Sequence, residues 1–522
     1  MFQLVHSLEK SEKRHFKLYI KRSSAKEDLK IVQLFDALDK MHDYDEKVLL
    51  KKLPGTEKPQ LSNLKTHLYR EVLASLRLLK STGNVDLELN EQLDYARILY
   101  YKGLYNQSQK ILDKVKELAH EYSQDTVLMQ VISLEKKIEI LHSTRGMQDR
   151  TERLMAEANE VHERRQVITQ LSNLALQMYS WFVKNGHARN QKDEAGVTQY
   201  FQEHFPKDAD RHNGFYEKLY LYQSYFWFAF IRQDYLNSYR YAQKWTDLFR
   251  EKPVMVDMEA GHYIKGMHNL LNAHFNLRNY RGFETVLKEF EGFAESDLIR
   301  HHDNFRVQTF EYIQSAKLKL HFMLGTFKEG VKLVPSIEEQ LQEHSMFLDK
   351  HRLLVFNYKI ATLYFGSGDY DTAIDYLQRI INENVEMRND LQCYARLLHL
   401  MSHYELGNDS IMESLIKSVY RFMAKMEKLT IVEEEIFRFV RSTFHLSRHK
   451  LQHEFEQFLQ KIKQLNTNRY EARSFGYLDI ISWVESKVLK KPMSQVIQEK
   501  YLQSRRKLET GPKPAPAPLL AK

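Results

Sequence analysis

Three histidines near the C-terminal end of the chain have a spacing that metal ligands use on helices. His445, His449 and His453 recur every four residues, which predicts a single helical face, and Glu456 follows one turn later. Imidazoles at this spacing could ligate a transition metal. However, the chain has 23 histidines, so such alignments also arise by chance. A zinc site needs a third or fourth ligand held elsewhere. We therefore favour a solvated face and predict no metal, with a metal site as the open alternative.

The sequence lacks the motifs that usually mark an enzyme. It has no glycine-rich phosphate loop followed by Lys-Ser/Thr, no dinucleotide-binding fingerprint and no His-Glu-x-x-His. Its single cysteine, Cys393, excludes an internal disulfide and a zinc site built from several cysteines. We expect Cys393 to lie within a helix as a packed core thiol. The sequence therefore predicts a protein that is not an enzyme and that needs no cofactor.

A short aromatic phrase returns along the chain and indicates how its helices are organised. It consists of an aromatic residue, a few spacers that often include Gly, and a Tyr or Phe. Copies at 230–235, 275–280, 322–327 and 365–370 place the second aromatic at intervals of 45, 47 and 43 residues. Recurrence at a near-constant period is typical of a repeat array. A further copy lies at 100–105.

The copy around Gly368 shows what one repeat is. Apolar residues on both sides of this glycine recur at the spacing of one helical face. Gly368 can adopt the left-handed conformation that ends a helix. The pattern predicts two amphipathic helices joined by a short turn. Such a hairpin cannot bury its own apolar face, so it must stack on neighbouring hairpins.

This copy resembles a tetratricopeptide repeat (TPR). The matching residues are the aromatics and glycine of the turn, with a small residue on each side of it: Ala361, Tyr364, Gly368, Tyr370 and Ala373. The resemblance implies an all-α, right-handed TPR-like solenoid of stacked helical hairpins across residues 84–490. The period allows about eight or nine hairpins, with intervening turns expected near Gly146 and Gly186.

The resemblance also implies where a partner binds, because in the TPR family the first helices of the hairpins line a concave groove. The groove residues that we predict come from four successive hairpins: Tyr220, Gln223, Trp227, Lys265, His268, Asn272, Tyr312, Lys319 and Tyr358. One further position is Phe in all four hairpins and forms an aromatic column. Lys265, Asn272 and Lys319 have the side-chain types with which carboxylate-clamp TPRs hold a C-terminal carboxylate. However, the repeats here are longer, and none shows the complete clamp pattern.

Residues 1–83 lie outside the repeat and are predicted to form a helical N-terminal cap. The helix predicted after the Pro-rich break at 53–59 carries polar residues on its outer face, among them Asn63, Lys65, Thr66 and Arg70. These side-chain types can contact phosphates and base edges. The alternative function is thus a transcriptional regulator, with a DNA-binding unit at 1–83 and a peptide-sensing array. The break is longer than the turn of a standard helix-turn-helix, which favours the cap.

Charge is distributed unevenly along the chain. Residues 1–80 carry +6 and residues 487–522 carry +7, which leaves −5 for residues 81–486 in a chain of net charge +8. Basic ends can attract nucleic acid or acidic partners. Residues 491–522 are predicted to complete a last helix and to continue as a disordered Pro/Ala-rich tail. The sequence shows neither a signal peptide nor a transmembrane segment, so we expect a cytoplasmic protein.

Taken together, the sequence predicts an adaptor or scaffold that binds a protein or peptide partner in the concave groove. Nucleic-acid binding through residues 1–83 is the less favoured alternative. The sequence predicts no membrane association, and it does not specify the oligomeric state.

Overall fold

The structure, a computed structural model, describes residues 1–22, 26–80, 84–142, 147–207, 209, 213–345, 347–383, 389–426, 429–446, 448–472 and 479–510. Throughout these residues the regular secondary structure is helical, with no β-strand. The all-α class that the sequence predicts is therefore confirmed.

The chain divides into two compact units, Met1–Gln166 and Val167–Lys522. Helix α9 (Met147–Asn185) contains the division. The helices of the first unit that precede α9 are α1 (Phe2–Ser7), α2 (Lys10–Arg22), α3 (Lys26–Asp39), α4 (Glu46–Lys52), α5 (Lys58–Lys80), α6 (Val85–Tyr101), α7 (Tyr105–Glu121) and α8 (Asp125–His142). The boundary that we predict at residue 84 lies inside this unit and stays a prediction.

The second unit continues with nineteen further helices among the described residues. They are α10 (Gln191–His204), α11 (Phe215–Ile231), α12 (Tyr235–Glu251), α13 (Val254–Met258), α14 (Ala260–Asn276), α15 (Tyr280–Ala294), α16 (Asp297–Arg300), α17 (Asp303–Leu324), α18 (Phe327–Val331), α19 (Val334–Glu343), α20 (Lys350–Ser367), α21 (Tyr370–Ile381), α22 (Asn389–Leu406), α23 (Asp409–Lys425), α24 (Ile431–Thr443), α25 (Arg448–Leu465), α26 (Arg469–Ala472), α27 (Ile480–Val488) and α28 (Met493–Thr510).

The aromatic phrase marks the turns between paired helices. In all five copies the second aromatic is the first residue of a helix, at the start of α7, α12, α15, α18 and α21. The residue two places before it has a positive φ, between 52° and 90°. Three copies have Gly there, whereas Gln233 and Arg278 adopt the left-handed conformation at the other two. The phrase is thus a turn signal, in which a left-handed residue ends one helix and the next helix begins two residues later.

Side-chain caps help to fix where the second helices begin. Asp234, Asn279 and Asp369 each accept a hydrogen bond from a backbone N–H in the first turn of the helix that follows, at 3.0–3.1 Å. Such a cap satisfies a backbone donor that has no partner within the helix. The three residues occupy the same place in the phrase, immediately before the second aromatic.

Packing in the second unit follows the order of the chain. Helices α11, α12, α14, α15 and α17 each contact the next, and α20–α25 continue in the same way. In addition, α14 packs on α17, and α17 packs on α20. These two contacts place the first helices of three successive hairpins side by side. Cys393 is buried in α22, within the apolar core, as the sequence predicts.

The repeat pattern is interrupted before this region. The turn expected near Gly146 falls at 143–146, outside the described residues. A turn is present at Gly186, with φ of 77°. Between them α9 runs as one helix of 39 residues rather than as parts of separate short helices. Its sequence contains neither Gly nor Pro, so no residue interrupts the backbone hydrogen bonding.

The C-terminal residues of the second unit fold back onto earlier hairpins. Helix α28 packs against α17 and α20, where Gln498 donates a hydrogen bond to the carbonyl of Gly325 at 3.3 Å. The ring of Tyr501 lies 4.7 Å from that of Tyr280. Residues 511–522, where we predict a disordered tail, lie outside the described residues. The segment 493–510 is therefore an integral part of the second unit.

Candidate functional site

The predicted groove residues lie on α11, α14, α17 and α20, and the structure brings five of them together. Lys265, His268 and Asn272 occupy successive turns of α14, and Tyr312 and Lys319 face them from α17. The spacing of the residues on each helix, and the direct packing of α14 on α17, explain why they meet.

Lys265 lies among aromatic rings. Its Nζ is 5.3 Å from the ring centroid of Tyr312, 5.6 Å from that of Tyr179 and 6.0 Å from that of Trp227. At such distances a ring face attracts a cation. The same Nζ is 3.4 Å from the Tyr312 hydroxyl oxygen. Aromatic rings therefore surround this ammonium group, while the carboxylate of Glu311 raises its pKa against the larger effect of burial.

Two successive hydrogen bonds connect Lys319 to His268. The ammonium of Lys319 donates a hydrogen bond to Oδ1 of Asn272, and the Asn272 amide donates to Nε2 of His268 at 3.0 Å. The imidazole stacks on the Tyr312 ring, with centroids 3.9 Å apart. Since Nε2 of His268 accepts in this arrangement, the ring is in its neutral form.

Helix α20 adds a third lysine to this region. Lys359 donates a hydrogen bond to the hydroxyl of Ser315, one turn before Lys319 on α17. Next to it, Arg352 forms an ion pair with Glu311, with 3.2 Å between Nε and Oε2. We define the lysine cluster as Lys265, His268, Asn272, Tyr312, Lys319 and Lys359. It spans three neighbouring helices.

The electrostatic properties of the cluster are those of a positively charged and partly desolvated surface. Burial lowers the pKa of Lys319 to about 8 and also lowers the pKa of Lys265. The pKa of His268 lies well below its usual value, first because of burial and then because all three lysines repel a proton there. Burial raises the pKa of Tyr312 to about 12, so its hydroxyl keeps its proton. The cluster thus presents hydrogen-bond donors and positive charge.

The other four predicted residues lie outside the lysine cluster. Tyr220 and Gln223 contact His262 instead. The rings of Tyr220 and His262 are 5.8 Å apart, and the Gln223 amide donates to Nδ1 of His262 at 3.0 Å. Trp227 and Tyr358 are each only 7% exposed, so they offer a ligand little surface. Trp227 packs against Tyr179, Phe182, Phe226 and Phe230.

The aromatic column contributes mainly to packing. Phe230 contacts Phe182 with ring centroids 5.1 Å apart, and Phe365 contacts Tyr370 at 5.3 Å. Phe275 is the member next to the lysine cluster, with Nζ of Lys319 at 5.1 Å from its ring centroid. The column therefore supports the helices, and at Phe275 it also supports a lysine of the cluster.

Sequence reasoning missed Tyr179 and Lys359. Tyr179 lies on α9, in the stretch where the aromatic phrase gives no register. Lys359 directly follows Tyr358, so the fixed register that assigned one residue to each turn passed over it. In each helical turn two neighbouring residues can face a groove. A prediction that included both of them would have included Lys359.

The histidine arrangement near the C-terminal end differs from the prediction. His445 lies in the turn after α24, before α25 begins at Arg448, so it does not share a helical face with His453. Its ring contacts Phe444 at 3.6 Å between centroids, whereas His453 contacts the side-chain amide of Gln457. The side chain of His449 is outside the described part of the chain. Among the described residues, no three His, Cys, Asp or Glu side chains are grouped so as to hold a metal ion.

The outer face of α5 retains exposed polar groups. Asn63, Thr66 and Arg70 are exposed, while Lys65 is 3.0 Å from Glu46 in an ion pair. Three of the four polar residues named from the sequence are therefore accessible.

No helix in the described part of the chain combines the length and apolar character needed to cross a membrane. Comparison with known protein families, curated proteins and solved structures finds no match to this chain.

Proposed function

We propose that this protein is a non-enzymatic adaptor or scaffold that binds a segment of a partner protein. The binding surface is the concave groove of a right-handed, TPR-like solenoid built by the hairpins of the second unit. Support comes from the order in which these helices pack and from the turn phrase that begins their second helices. Arrays of this kind present extended surfaces suited to recognition.

The observation that carries the proposal is the lysine cluster. Three neighbouring helices place polar and cationic side chains at one location, although these residues are up to 94 positions apart, from Lys265 to Lys359. Partly buried ammonium groups reduce the stability of a fold unless something compensates them. A ligand that carries negative charge would supply that compensation, while the surrounding tyrosines offer apolar contact area.

The test is affinity capture with the full-length protein, using the wild type, Lys319→Met and the matched control Lys317→Met. Lys317 lies on the same helix, but it pairs with Glu291 at 2.8 Å, outside the cluster. We expect the wild type and Lys317→Met to capture a partner at equal levels. Lys319→Met should bind that partner at least about tenfold more weakly, which is equivalent to about 1.4 kcal/mol. Equal capture by all three proteins would contradict the proposal that this surface binds the partner.

A second candidate, a DNA-binding regulator, rests on the exposed Asn63, Thr66 and Arg70 of α5 and on the basic N-terminal residues. This alternative predicts that the full-length protein binds duplex DNA with an affinity that falls steeply with salt. It also predicts that Arg70→Ala weakens the binding and that Lys319→Met leaves it unchanged.

A further inference from the structure

We propose that His399 and His403, one turn apart on α22, chelate a Zn²⁺ ion or another divalent transition-metal ion that prefers tetrahedral coordination. This site lies outside the lysine cluster and is independent of the adaptor function. Three residues separate the two histidines, which is the spacing with which a His-Glu-x-x-His helix presents two imidazoles to zinc. Leu400 stands where that motif has Glu, so only the ligand spacing is shared and no catalytic base comes with it.

The two rings converge at their Nε2 atoms. The Nε2 atoms of His399 and His403 are 3.3 Å apart, whereas the ring centroids are 4.5 Å apart. Zinc–nitrogen bonds are about 2.0–2.1 Å long, so two nitrogens at the tetrahedral angle lie about 3.3–3.4 Å from each other. Two nitrogens at a right angle, as in square-planar or octahedral complexes, would lie only about 2.8–3.0 Å apart at the same bond length. The observed separation therefore suits a tetrahedral ion.

Both imidazoles are in a form that can bind a metal. Burial lowers the pKa of His399 to about 4, and it also lowers the pKa of His403. Both rings are therefore neutral at pH 7, where one Nε2 donates a hydrogen bond to the other. A neutral ring can instead carry its proton on Nδ1. With the proton there on both rings, both Nε2 lone pairs are available to one metal ion.

Asn408 is placed to hold His403 in that form. The side-chain amide of Asn408 lies 2.9 Å from Nδ1 of His403, with its nitrogen towards the ring. Half a turn of the amide brings its oxygen to the same place, where it can accept a hydrogen bond from Nδ1–H. Metal-bound imidazoles usually donate their second ring N–H to such an acceptor, which fixes the orientation of the ring.

Two charged groups act on the pair, and their signs differ. The exposed Asp371 lies on α21, which packs against α22, and its carboxylate raises the pKa of His403 against the larger effect of burial. Arg396 acts in the opposite direction and lowers the pKa of His399, after the larger effect of burial. The guanidinium of Arg396 is held over the ring of Phe422, 3.8 Å from its centroid. The two charges thus largely offset each other, and a cation can approach the imidazoles.

The site supplies two ligands and leaves the other positions open. In the described part of the chain no third His, Cys, Asp or Glu side chain is grouped with the pair. Both histidines are only partly buried, so water can reach the ion and fill the remaining positions. Structural zinc sites usually have four protein ligands. We therefore expect an exchangeable ion that binds more weakly than a structural one.

The test is a calorimetric titration of Zn²⁺ into the metal-free full-length protein at pH 7.5, in a buffer that does not bind zinc. The variants are His399→Gln, His403→Gln and the matched control His453→Gln, since His453 is an exposed histidine on α25. We expect one saturable site that the wild type and the control share. We expect His399→Gln and His403→Gln each to bind at least about tenfold more weakly, because each lacks one of the two ligands. Mg²⁺, which prefers oxygen ligands, should show no saturable binding.

A second measurement uses the wild type alone, so it does not depend on how the variants fold. Diethyl pyrocarbonate modifies neutral imidazoles, and mass spectrometry identifies the modified residues. We expect Zn²⁺ to slow the modification of His399 and His403, because their Nε2 lone pairs then bind the metal, and to leave His453 unchanged.

Three results would overturn the metal site. The first is the absence of saturable Zn²⁺ binding by the wild type. The second is equal binding by His399→Gln, His403→Gln and His453→Gln, which would show adventitious binding at other histidines only. The third is an unchanged rate of modification of His399 and His403 at saturating Zn²⁺. Saturable binding of Mg²⁺ with the affinity of Zn²⁺ would likewise contradict ligation by imidazole.

Discussion

Lys319→Met is expected to stabilise the protein while it weakens binding. Burial lowers the pKa of Lys319 from 10.5 to about 8, so the unfolded chain holds this proton more tightly than the folded protein does. At pH 7 the folded protein therefore carries a charge that disfavours folding. Methionine keeps most of the aliphatic stem and removes the charge. We expect the free energy of unfolding at pH 7 to rise by about 1–3 kcal/mol, given 1.36 kcal/mol per pKa unit and some relief from partial exposure.

The pH dependence supplies an internal check on this prediction. Between about pH 8 and pH 10.5 the unfolded state binds more protons at this position than the folded state does, so wild-type stability rises with pH there. The advantage of Lys319→Met should accordingly shrink from pH 8 to pH 10 in urea denaturation curves. Lys317→Met removes only an ion pair with partial exposure and should change stability by less than about 0.5 kcal/mol. A Lys319→Met protein that is less stable than the wild type at pH 7 would contradict the desolvation argument.

Gly325→Ala is expected to be strongly destabilising and to loosen the C-terminal helix. Gly325 has φ of 68°, which disfavours any residue with a Cβ. A Cβ built there would lie 2.5 Å from the carbonyl oxygen of Ser494 and 3.0 Å from Cβ of Ile497, both on α28. Because the first contact is with backbone, α28 must move. We expect the free energy of unfolding to fall by about 2–4 kcal/mol, because the backbone strain and the overpacking act together.

Two other turn glycines are matched controls. Gly368 and Gly407 have φ of 90° and 71°, and a Cβ at either position would meet nothing within 4 Å. In their alanine variants the free energy of unfolding should fall only by the cost of the left-handed conformation, about 1–2 kcal/mol. Urea denaturation measures the stabilities, and limited proteolysis within 493–510 reports release of α28. If Gly325→Ala behaved like the two controls, α28 would not be held where the structure places it.

Local physical rules were sufficient to predict the turns. The aromatic phrase contains a left-handed residue in every copy and, in three of its five copies, a capping side chain such as Asp369. Both act over a few residues. The starts of five helices could therefore be predicted from the sequence. The continuous helix α9 could not be, because a fixed period supplies no information where the phrase is absent, although the lack of Gly and Pro in 147–185 was a local signal against a break.

The candidate site was predicted in part for a similar reason. The register of the hairpins found Lys265 and Lys319, because residues on one face of adjacent first helices must lie near one another. It could not show that Trp227 and Tyr358 are enclosed, since burial depends on neighbours such as Tyr179 from another helix. The docking of α28 near Gly325 depends on residues that are 173 positions apart, and no local pattern encodes that contact.

The most direct test of the account is the pH dependence of sulfate binding to the full-length wild type and to Lys319→Arg. Sulfate keeps its two charges between pH 7 and pH 9, and Tyr312, with a pKa of about 12, keeps its proton. Lys319 itself contacts Asn272 and the ring of Phe275. The nearby His268, whose pKa lies well below its usual value, is neutral throughout the interval.

For a pKa of about 8, the protonated fraction of Lys319 falls about tenfold from pH 7 to pH 9. The account therefore predicts that wild-type affinity for sulfate falls by about that factor. Lys319→Arg, whose guanidinium stays charged, should show a distinctly smaller fall. Equal affinities of the wild type at pH 7 and pH 9, or equal falls in the wild type and Lys319→Arg, would contradict the claim that the ammonium of Lys319 holds the anion.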